Sequence, residues 1–129
     1  MIIRRYLKRA KYHNHKVTIG EDTYDSMKEY RRYLDLLAMQ MAGDIYDLRR
    51  QVKYELLPAQ REPDTIGKRG GVHKGKLLEK EASYYADFVY KITGTDEEVV
   101  EDTKGVRTTD YILKRKMMLY FHGIKIKEI

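Results

Sequence analysis

Cysteine is absent from the 129-residue chain, and this absence excludes several classes of protein. Without a thiol there is no disulfide scaffold, no thiolate zinc site and no cysteine nucleophile. Long apolar runs are missing too, and the basic start MIIRRYLKRAK lacks the roughly 7 to 15 apolar residues of a signal peptide. We therefore expect a soluble, cytoplasmic protein that has no membrane partner.

Positive charge is what the chain has in excess. It carries 26 Lys and Arg against 20 Asp and Glu, a net charge of +6, and its pI is near 9.4. This balance favours a polyanionic partner, most often nucleic acid, although in many basic proteins the charge serves only solubility. The length suits one domain with one packed core.

Two segments have the composition of irregular chain. Residues 1–16 are rich in Lys and Arg, and we interpret them as a basic N-terminal arm, either solvated or laid along phosphates. Residues 58–76 hold both prolines and many glycines, which predicts a long flexible loop within a single domain formed by residues 17–129.

The loop at 58–76 is also basic. Glycine allows the main chain to approach a phosphate backbone closely, so the loop could bind DNA, while a disordered linker explains the same composition. The candidate DNA contacts in it are Lys68, Arg69, His73, Lys74 and Lys76.

Periodicity predicts the elements between and after these segments. In order they are a small hairpin around Gly20, a helix in DSMKEYRRYLDLLAMQMAG, a strand in RRQVKYELLP, strands in SYYADFVYKI and EVVEDTKG, a helix in TTDYILKRKMMLYF and a strand in IKIKEI. A strand, a helix and a further strand normally form a right-handed parallel crossover. We therefore predict an α/β (α+β) fold with an α-β-β-β-α-β core, in which a mixed sheet is flanked by helices.

The two central strands bring acids together. If their hairpin turns at residues 94–95, Asp87 lies directly across from Asp102, and opposed residues share a face. A side-chain period of two adds Lys104 to that face. Two carboxylates beside an amine suit a hard cation such as Mg²⁺, which prefers oxygen ligands and leaves water positions for a phosphate.

A plainer interpretation of this face is an exposed cross-strand ion pair. The same alternation points Glu101 and Thr103 to the opposite face. The position of Asp87 favours a site, because it lies inside the apolar run YYADFVY, where an unpaired acid is costly.

Glu29 is open to two interpretations. Ser26 and Glu29 have the spacing of a capping box, in which the serine caps the helix and the glutamate reaches back to the serine N–H. Alternatively, Glu29 points from the first helical turns toward Asp87.

A glutamate on a helix, an aspartate within a strand and Asp-x-Lys in the next strand resemble the PD-(D/E)XK phosphodiesterase superfamily, whose core has the same order of elements. More narrowly, KYHNHKVTIGEDTYDSMKEYRRY, YYADFVY, VVEDTKG and TTDYILKRKMM resemble a phage-encoded nuclease group of that superfamily that includes Holliday junction resolvases. One departure is Ala86, which stands where the superfamily name has proline.

The resemblance implies a restriction-endonuclease-like fold and metal-dependent hydrolysis of phosphodiester bonds. It makes Asp87 and Asp102 ligands of Mg²⁺, for which Mn²⁺ can substitute, with Glu29 and the Thr103 carbonyl completing the shell. Lys104 would orient or help deprotonate the attacking water.

The partner implied is double-stranded or branched DNA, and resolving a two-fold junction needs two symmetric cuts, hence a homodimer. Two alternatives remain open: another nuclease of this fold, acting on nicks, flaps or ends, and a non-catalytic nucleic-acid-binding module. Leu37, Met39 and Met41 could form the dimer interface or simply pack in the core.

The second helix supplies further candidate DNA contacts, because Tyr111, Lys114 and Lys116 form a basic stripe with one aromatic residue. Ordinary solvation of a helix face explains the same pattern. The tripeptide His13-Asn14-His15 spells the name of another nuclease family, whose three residues are spread around a metal rather than adjacent. We assign it to the basic arm and predict that cutting is carried out by the hairpin acids.

Overall fold

The computed structural model describes residues 15–104 and 106–129, so most of the predicted basic arm, including His13, lies outside the described residues. The helices are α1 (Met27–Met41) and α2 (Thr109–His122). The strands are β1 (Val17–Ile19), β2 (Asp22–Tyr24), β3 (Ile45–Leu57), β4 (Gln60–Arg61), β5 (Thr65–Ile66), β6 (Val72–His73), β7 (Leu77–Glu79), β8 (Ala82–Ile92), β9 (Glu98–Asp102) and β10 (Lys127–Glu128).

A four-stranded mixed sheet in the order β10-β9-β8-β3 forms the centre of the fold. Its pairs are antiparallel except β10 with β9, which is parallel and is reached through α2. Taking α1, β3, β8, β9, α2 and β10 in turn, the predicted α-β-β-β-α-β core and mixed sheet are confirmed. The closing strand is shorter than predicted, although Ile126 is buried before it.

Polar caps set the helix limits. Ser26 Oγ accepts from the Glu29 N–H at 3.2 Å at the start of α1, and Thr108 Oγ1 accepts from the Tyr111 N–H at 3.1 Å at the start of α2. Gly123 ends α2 with a φ of 66°, a conformation that glycine adopts without strain. Neither described helix is long and apolar enough to cross a membrane.

Each helix covers its own cluster of apolar side chains. The cluster beside α1 contains Leu36, Ile45, Phe88 and Tyr90, with Met39 packed against it, whereas Met41 is 88 % exposed. The cluster beside α2 contains Leu56, Tyr84, Ala86, Val89, Val100, Tyr111, Met118 and Ile126.

In strand β8, Tyr84 and Ala86 belong to the cluster beside α2, whereas Phe88 and Tyr90 belong to the cluster beside α1. Regular alternation would place all four of these side chains on one face. The change of face occurs around Asp87. In the adjoining strand, Gln51 has a φ of 49°, which is uncommon for a residue with a side chain. This distortion allows one strand pair to pack against both helices, and it places Asp87 and Gln51 at the point where the two clusters meet.

The predicted hairpin register is also confirmed. Phe88 pairs with Glu101 and Val89 pairs with Val100, so one further step in the same register sets Asp87 across from Asp102. The strand ends at Asp102, earlier than predicted.

Residues 58–76 form more regular structure than the loop we predicted. Strands β4 and β7 pair with each other, and β5 and β6 pair beyond them, in nearly the same register as β3 and β8. We call this extension of the long hairpin, residues 58–81, the ribbon. Composition alone was misleading because the glycines serve its turn and a close crossing of its two strands, not an irregular chain.

The packing of Phe88 yields a stability prediction. Its side chain is fully buried and stacks on the Tyr33 ring, with 6.0 Å between centroids. Phe88→Ala should lower the free energy of unfolding by about 3 to 5 kcal/mol, measured by urea denaturation. Phe121→Ala, at a side chain that is 51 % exposed, is the matched control and should cost far less. Equal losses at the two positions would contradict this account of the core.

Candidate metal centre

Asp87 is the middle of a buried group of carboxylates. It is 6 % exposed. Its Oδ2 accepts from both the Thr103 N–H and the Thr103 hydroxyl at 2.8 Å, and its Oδ1 accepts from Gln51 Nε2 at 3.1 Å. The carboxylate is thus held from both neighbouring strands.

Glu29 faces Asp87 across the same amide. It is 1 % exposed, and its Oε1 accepts from Gln51 Nε2 at 3.0 Å. Its Oε2 accepts from the Asp25 N–H at 2.8 Å, so the reciprocal bond to Ser26 expected of a capping box is replaced by one to the preceding residue. Ser26 still caps the helix, and the Glu29 carboxylate points into the acidic group.

Asp25 completes a cluster that we did not predict. One carboxylate oxygen from each of Asp25, Glu29 and Asp87 lies within 4.8 Å of the other two. Asp25 lies four residues before Glu29 and immediately before the cap residue Ser26, where the chain that enters the helix passes next to Glu29. That spacing was the available signal in the sequence, whereas nothing marked Gln51.

Asp102 lies beside Asp87 with half of its carboxylate unsatisfied. The residue is fully buried, and the Tyr84 hydroxyl donates to its Oδ2 at 2.5 Å. Its Oδ1 is buried without a hydrogen-bond partner among the described residues. The nearest cation is Lys104, whose Nζ lies 3.7 Å from that oxygen.

The pKa values reflect this crowding. Burial, followed by the negative charge of Asp87, raises the pKa of Asp102 to about 7, although Tyr84 and Lys104 act in the opposite direction. Burial and then Asp87 likewise raise the pKa of Glu29. Both carboxyls therefore hold a proton more tightly than in water, because the site concentrates negative charge in a dry environment.

Cations offset this charge incompletely. Lys104 approaches Asp102 at 3.7 Å, and Arg50 Nη2 approaches Glu29 Oε1 at 3.9 Å. Neither distance is that of a hydrogen bond.

Several oxygen donors, one of them a buried atom without a partner, form the donor set that a hard divalent cation prefers. Asp25, Glu29 and Asp87 converge closely enough to share Mg²⁺ or Mn²⁺. Asp102 is outside that group of three but adjoins Asp87 and presents the buried Oδ1 that has no partner among the described residues. The Thr103 carbonyl remains a predicted ligand.

A cavity of about 240 Å³ opens over the centre. Lys104 lies at its wall with Nζ 5.3 Å from the centre of the Tyr111 ring. Lys114 also lines the cavity and pairs with Asp110 at 3.8 Å. The predicted basic stripe is therefore divided, because Lys116 lies on another part of α2 and does not line this cavity.

Two predicted roles need correction. Thr103 does not point away from the acids, because the ladder ends at Asp102, alternation stops there, and the threonine hydroxyl turns to Asp87. Tyr111 is only 4 % exposed and packs in the core below Lys104. A ring so buried is not exposed for the DNA contact that we predicted, and it lines the cavity from below.

The predicted DNA contacts of the 58–76 segment do not line this cavity. They lie on the ribbon and are exposed: Lys68, Arg69, His73, Lys74 and Lys76.

Glu101, on the opposite face of β9, shows what a compensated buried acid looks like in this fold. Arg32 Nε and Nη2 each donate to its carboxylate at 2.8 Å, and the Tyr90 hydroxyl donates to it as well. Arg32 lies one helical turn after Glu29, so this pair fastens α1 to β9 next to the buried carboxylates.

Breaking that pair should be costly. Arg32→Met leaves Glu101 buried without its cation and should lower the free energy of unfolding by about 3 to 5 kcal/mol. Arg32→Met combined with Glu101→Gln should recover part of the loss, because no charge is then left unpaired. Urea denaturation of the single and double variants measures this coupling.

Arg49→Met is the control for the same substitution at the surface. Arg49 lies 3.5 Å from Asp47 and 3.9 Å from Glu98, and the three side chains are 41 % to 49 % exposed, so its loss should cost less than about 1 kcal/mol. An Arg32 variant as mild as this control would contradict the structural role of the pair.

Asp102 gives a prediction on pH. Its carboxyl loses a proton near pH 3.8 in the unfolded chain and near pH 7 in the folded chain. Between these values the folded state binds more protons, so this group makes the fold less stable as pH rises. In chelator, Asp102→Asn should be more stable than the unchanged protein above about pH 7, since the amide oxygen can still accept from Tyr84.

The stability difference should shrink toward pH 4 and is measured by urea denaturation across that range. Asp35→Asn, at an exposed position of α1, is the control that should show little change. A difference that stays constant with pH would contradict the raised pKa.

Comparison with known proteins gives one match. The family described as "Protein of unknown function (DUF1064)" matches residues 9–128. No curated protein and no solved structure matches the chain.

Proposed function

The chain belongs to the DUF1064 family, and from the chemistry of its carboxylate centre we propose that it is a metal-dependent DNA endonuclease that hydrolyses phosphodiester bonds. The observation that carries the proposal is the fully buried Asp102, whose Oδ1 has no hydrogen-bond partner among the residues that the structure describes and lies 3.7 Å from Lys104. A fold gains no stability from such an atom, whereas a cation bound there would satisfy it.

Asp87 and Asp102 would hold Mg²⁺, or Mn²⁺ in its place, with Glu29, Asp25 and the Thr103 carbonyl as supporting oxygens. When bound, such an ion polarises a phosphoryl oxygen and makes a neighbouring water far more acidic. Thr103 and Gln51 already fix the orientation of Asp87 by hydrogen bonds, so this carboxylate would be in place before an ion binds.

In the proposed reaction, Lys104 is the group that acts on the attacking water. Its amine lies at the cavity wall next to Asp102. There it can orient a water molecule by hydrogen bonding and offset the negative charge that develops on the phosphate. Lys114, at the same cavity, adds a cation that attracts the DNA backbone.

The proposed substrate is double-stranded DNA, and branched DNA such as a four-way junction in particular. The net charge of +6 and the exposed cations of the ribbon support a DNA partner. The choice of a junction rests on the resemblance to a phage-encoded group that includes Holliday junction resolvases. We include in the proposal a homodimer, which two symmetric cuts require, acting in the cytoplasm, which for a phage protein is that of the host.

Asp87→Asn tests the catalytic part. The variant should lose at least about a thousandfold in cleavage rate while binding DNA as the unchanged protein does, because it loses a ligand charge and keeps most of its hydrogen bonds. Cleavage of a four-way junction, a flap, a nicked duplex and a linear duplex is measured with Mg²⁺, Mn²⁺ or chelator. Asp35→Asn is the matched control and should retain full activity.

The same panel separates the alternatives. Faster cleavage of flaps, nicks or ends than of junctions would replace the resolvase proposal by another nuclease activity. An Asp87→Asn variant or a chelated sample that acts like the unchanged protein would overturn the proposal and favour a non-catalytic nucleic-acid-binding module.

A further inference from the structure

The tip of the ribbon exposes two apolar side chains side by side. Ile66 and Val72 are cross-strand partners of β5 and β6 and therefore share a face. They are 79 % and 71 % exposed, although both are among the residue types most often buried. Neither belongs to the two apolar clusters of the domain.

Uncompensated positive charge surrounds this pair. Between Thr65 and Lys76 the sequence contains no Asp or Glu. The cations in that stretch, which form no salt bridge with any described residue, are Lys68, Arg69, Lys74 and Lys76. An apolar pair within a cationic tip matches a partner that has both a phosphate backbone and apolar surfaces between stacked bases.

Close contacts fix the shape of the ribbon. A Cβ on Gly75 would lie 1.7 Å from the Glu62 carbonyl oxygen, so the two strands cross there at a distance that only glycine allows. Bonds on either side hold the crossing: the Glu62 N–H donates to the Lys76 carbonyl oxygen at 2.9 Å, and the Gly75 N–H donates to Asp64 at 2.9 Å. At the tip, the His73 ring packs against Gly67.

We propose that the ribbon tip is a DNA-distorting wedge, in which Ile66 and Val72 enter an opened base step or a branch point while Lys68 and Arg69 bind the flanking phosphates. Apolar side chains that enter between base pairs unstack them and bend the duplex, while cations hold the backbone. This inference rests on the proposed function, since it assumes that DNA is the partner, but it assigns a separate surface and task.

The reach of the ribbon fits that task. The chain between Val72 and the start of β8 at Ala82 spans at most roughly 33 Å at about 3.3 Å per residue, close to one helical turn of DNA. The tip can therefore touch the duplex at a distance from the scissile phosphate, where a bend or branch would be recognised.

The test uses the full-length protein with Ca²⁺ in place of Mg²⁺, so that DNA is bound without being cut. Four-way junctions and linear duplexes carry a fluorescent base analogue whose emission rises on unstacking. The unchanged protein should raise the emission at specific positions. Ile66→Thr combined with Val72→Thr should abolish the rise and weaken binding roughly tenfold, while threonine keeps the preference for a strand.

Two further variants separate the parts of the proposal. Lys68→Gln combined with Arg69→Gln should reduce the slope of log affinity against log salt by about two, a change that the threonine variant should not produce. Leu78→Thr, at a side chain 56 % exposed near the base of the ribbon, is the control and should leave emission and affinity unchanged.

Emission unaffected by the tip variant, or reduced as much by Leu78→Thr, would overturn the wedge. So would a tip variant that changes the sedimentation of the protein without DNA, because the apolar pair would then be a contact between two copies of the chain. Unstacking without cleavage of any substrate in Mg²⁺ would support the wedge and overturn the nuclease, so the two failures are distinguishable.

Discussion

The structure depends on a concentration of negative charge in a place from which water is largely excluded. Asp87, Glu29 and Asp102 come from three different elements and are all buried at the point where the two apolar clusters meet. Burial of a carboxylate is costly unless it is paired, and here the described cations stay at 3.7 Å or more from the acids they approach. The negative charge of these acids is therefore only partly offset by the described cations.

Two adjacent residues of β9 show that the lack of partners is a property of the site and not of the strand. Glu101 points to the α1 side and receives two bonds from Arg32 and one from Tyr90. Asp102 points to the other side and receives one bond, from Tyr84. The same strand thus carries one acid with a complete set of partners, which fastens the helix, and one acid with an oxygen left over. Charges that served only solubility would lie at the surface, and neither of these two acids does.

Much of this could be predicted from the sequence because it follows from local rules. The order of elements follows from periodicity and caps, and the facing of Asp87 and Asp102 follows from the hairpin register, which needs only the turn position. The predictions that were wrong depended on backbone geometry that periodicity does not encode. The backbone of Gln51 is left-handed, and at this point β3 and β8 change the face that they turn to each helix. Strand β9 ends at Asp102, so Thr103 can turn toward Asp87. The glycines that allow the tight crossing of the ribbon gave residues 58–76 the composition of a loop. Asp25 could have been predicted from its place just before the helix cap, four residues before Glu29. Nothing in the sequence marked the amide of Gln51.

The hydrogen bonds at the centre also fix how the acids are oriented. Gln51 Nε2 donates to both Glu29 and Asp87, so one amide spaces two carboxylates that would otherwise repel each other. Thr103 holds the second Asp87 oxygen, and Arg32 fixes the helix that carries Glu29. The acids are therefore oriented by neutral donors and by a salt bridge on the far side of the sheet, and their charge is left available. Such an arrangement costs stability in the free protein, and a cation that bound only the folded state would return it, because any species that binds only the folded state stabilises it.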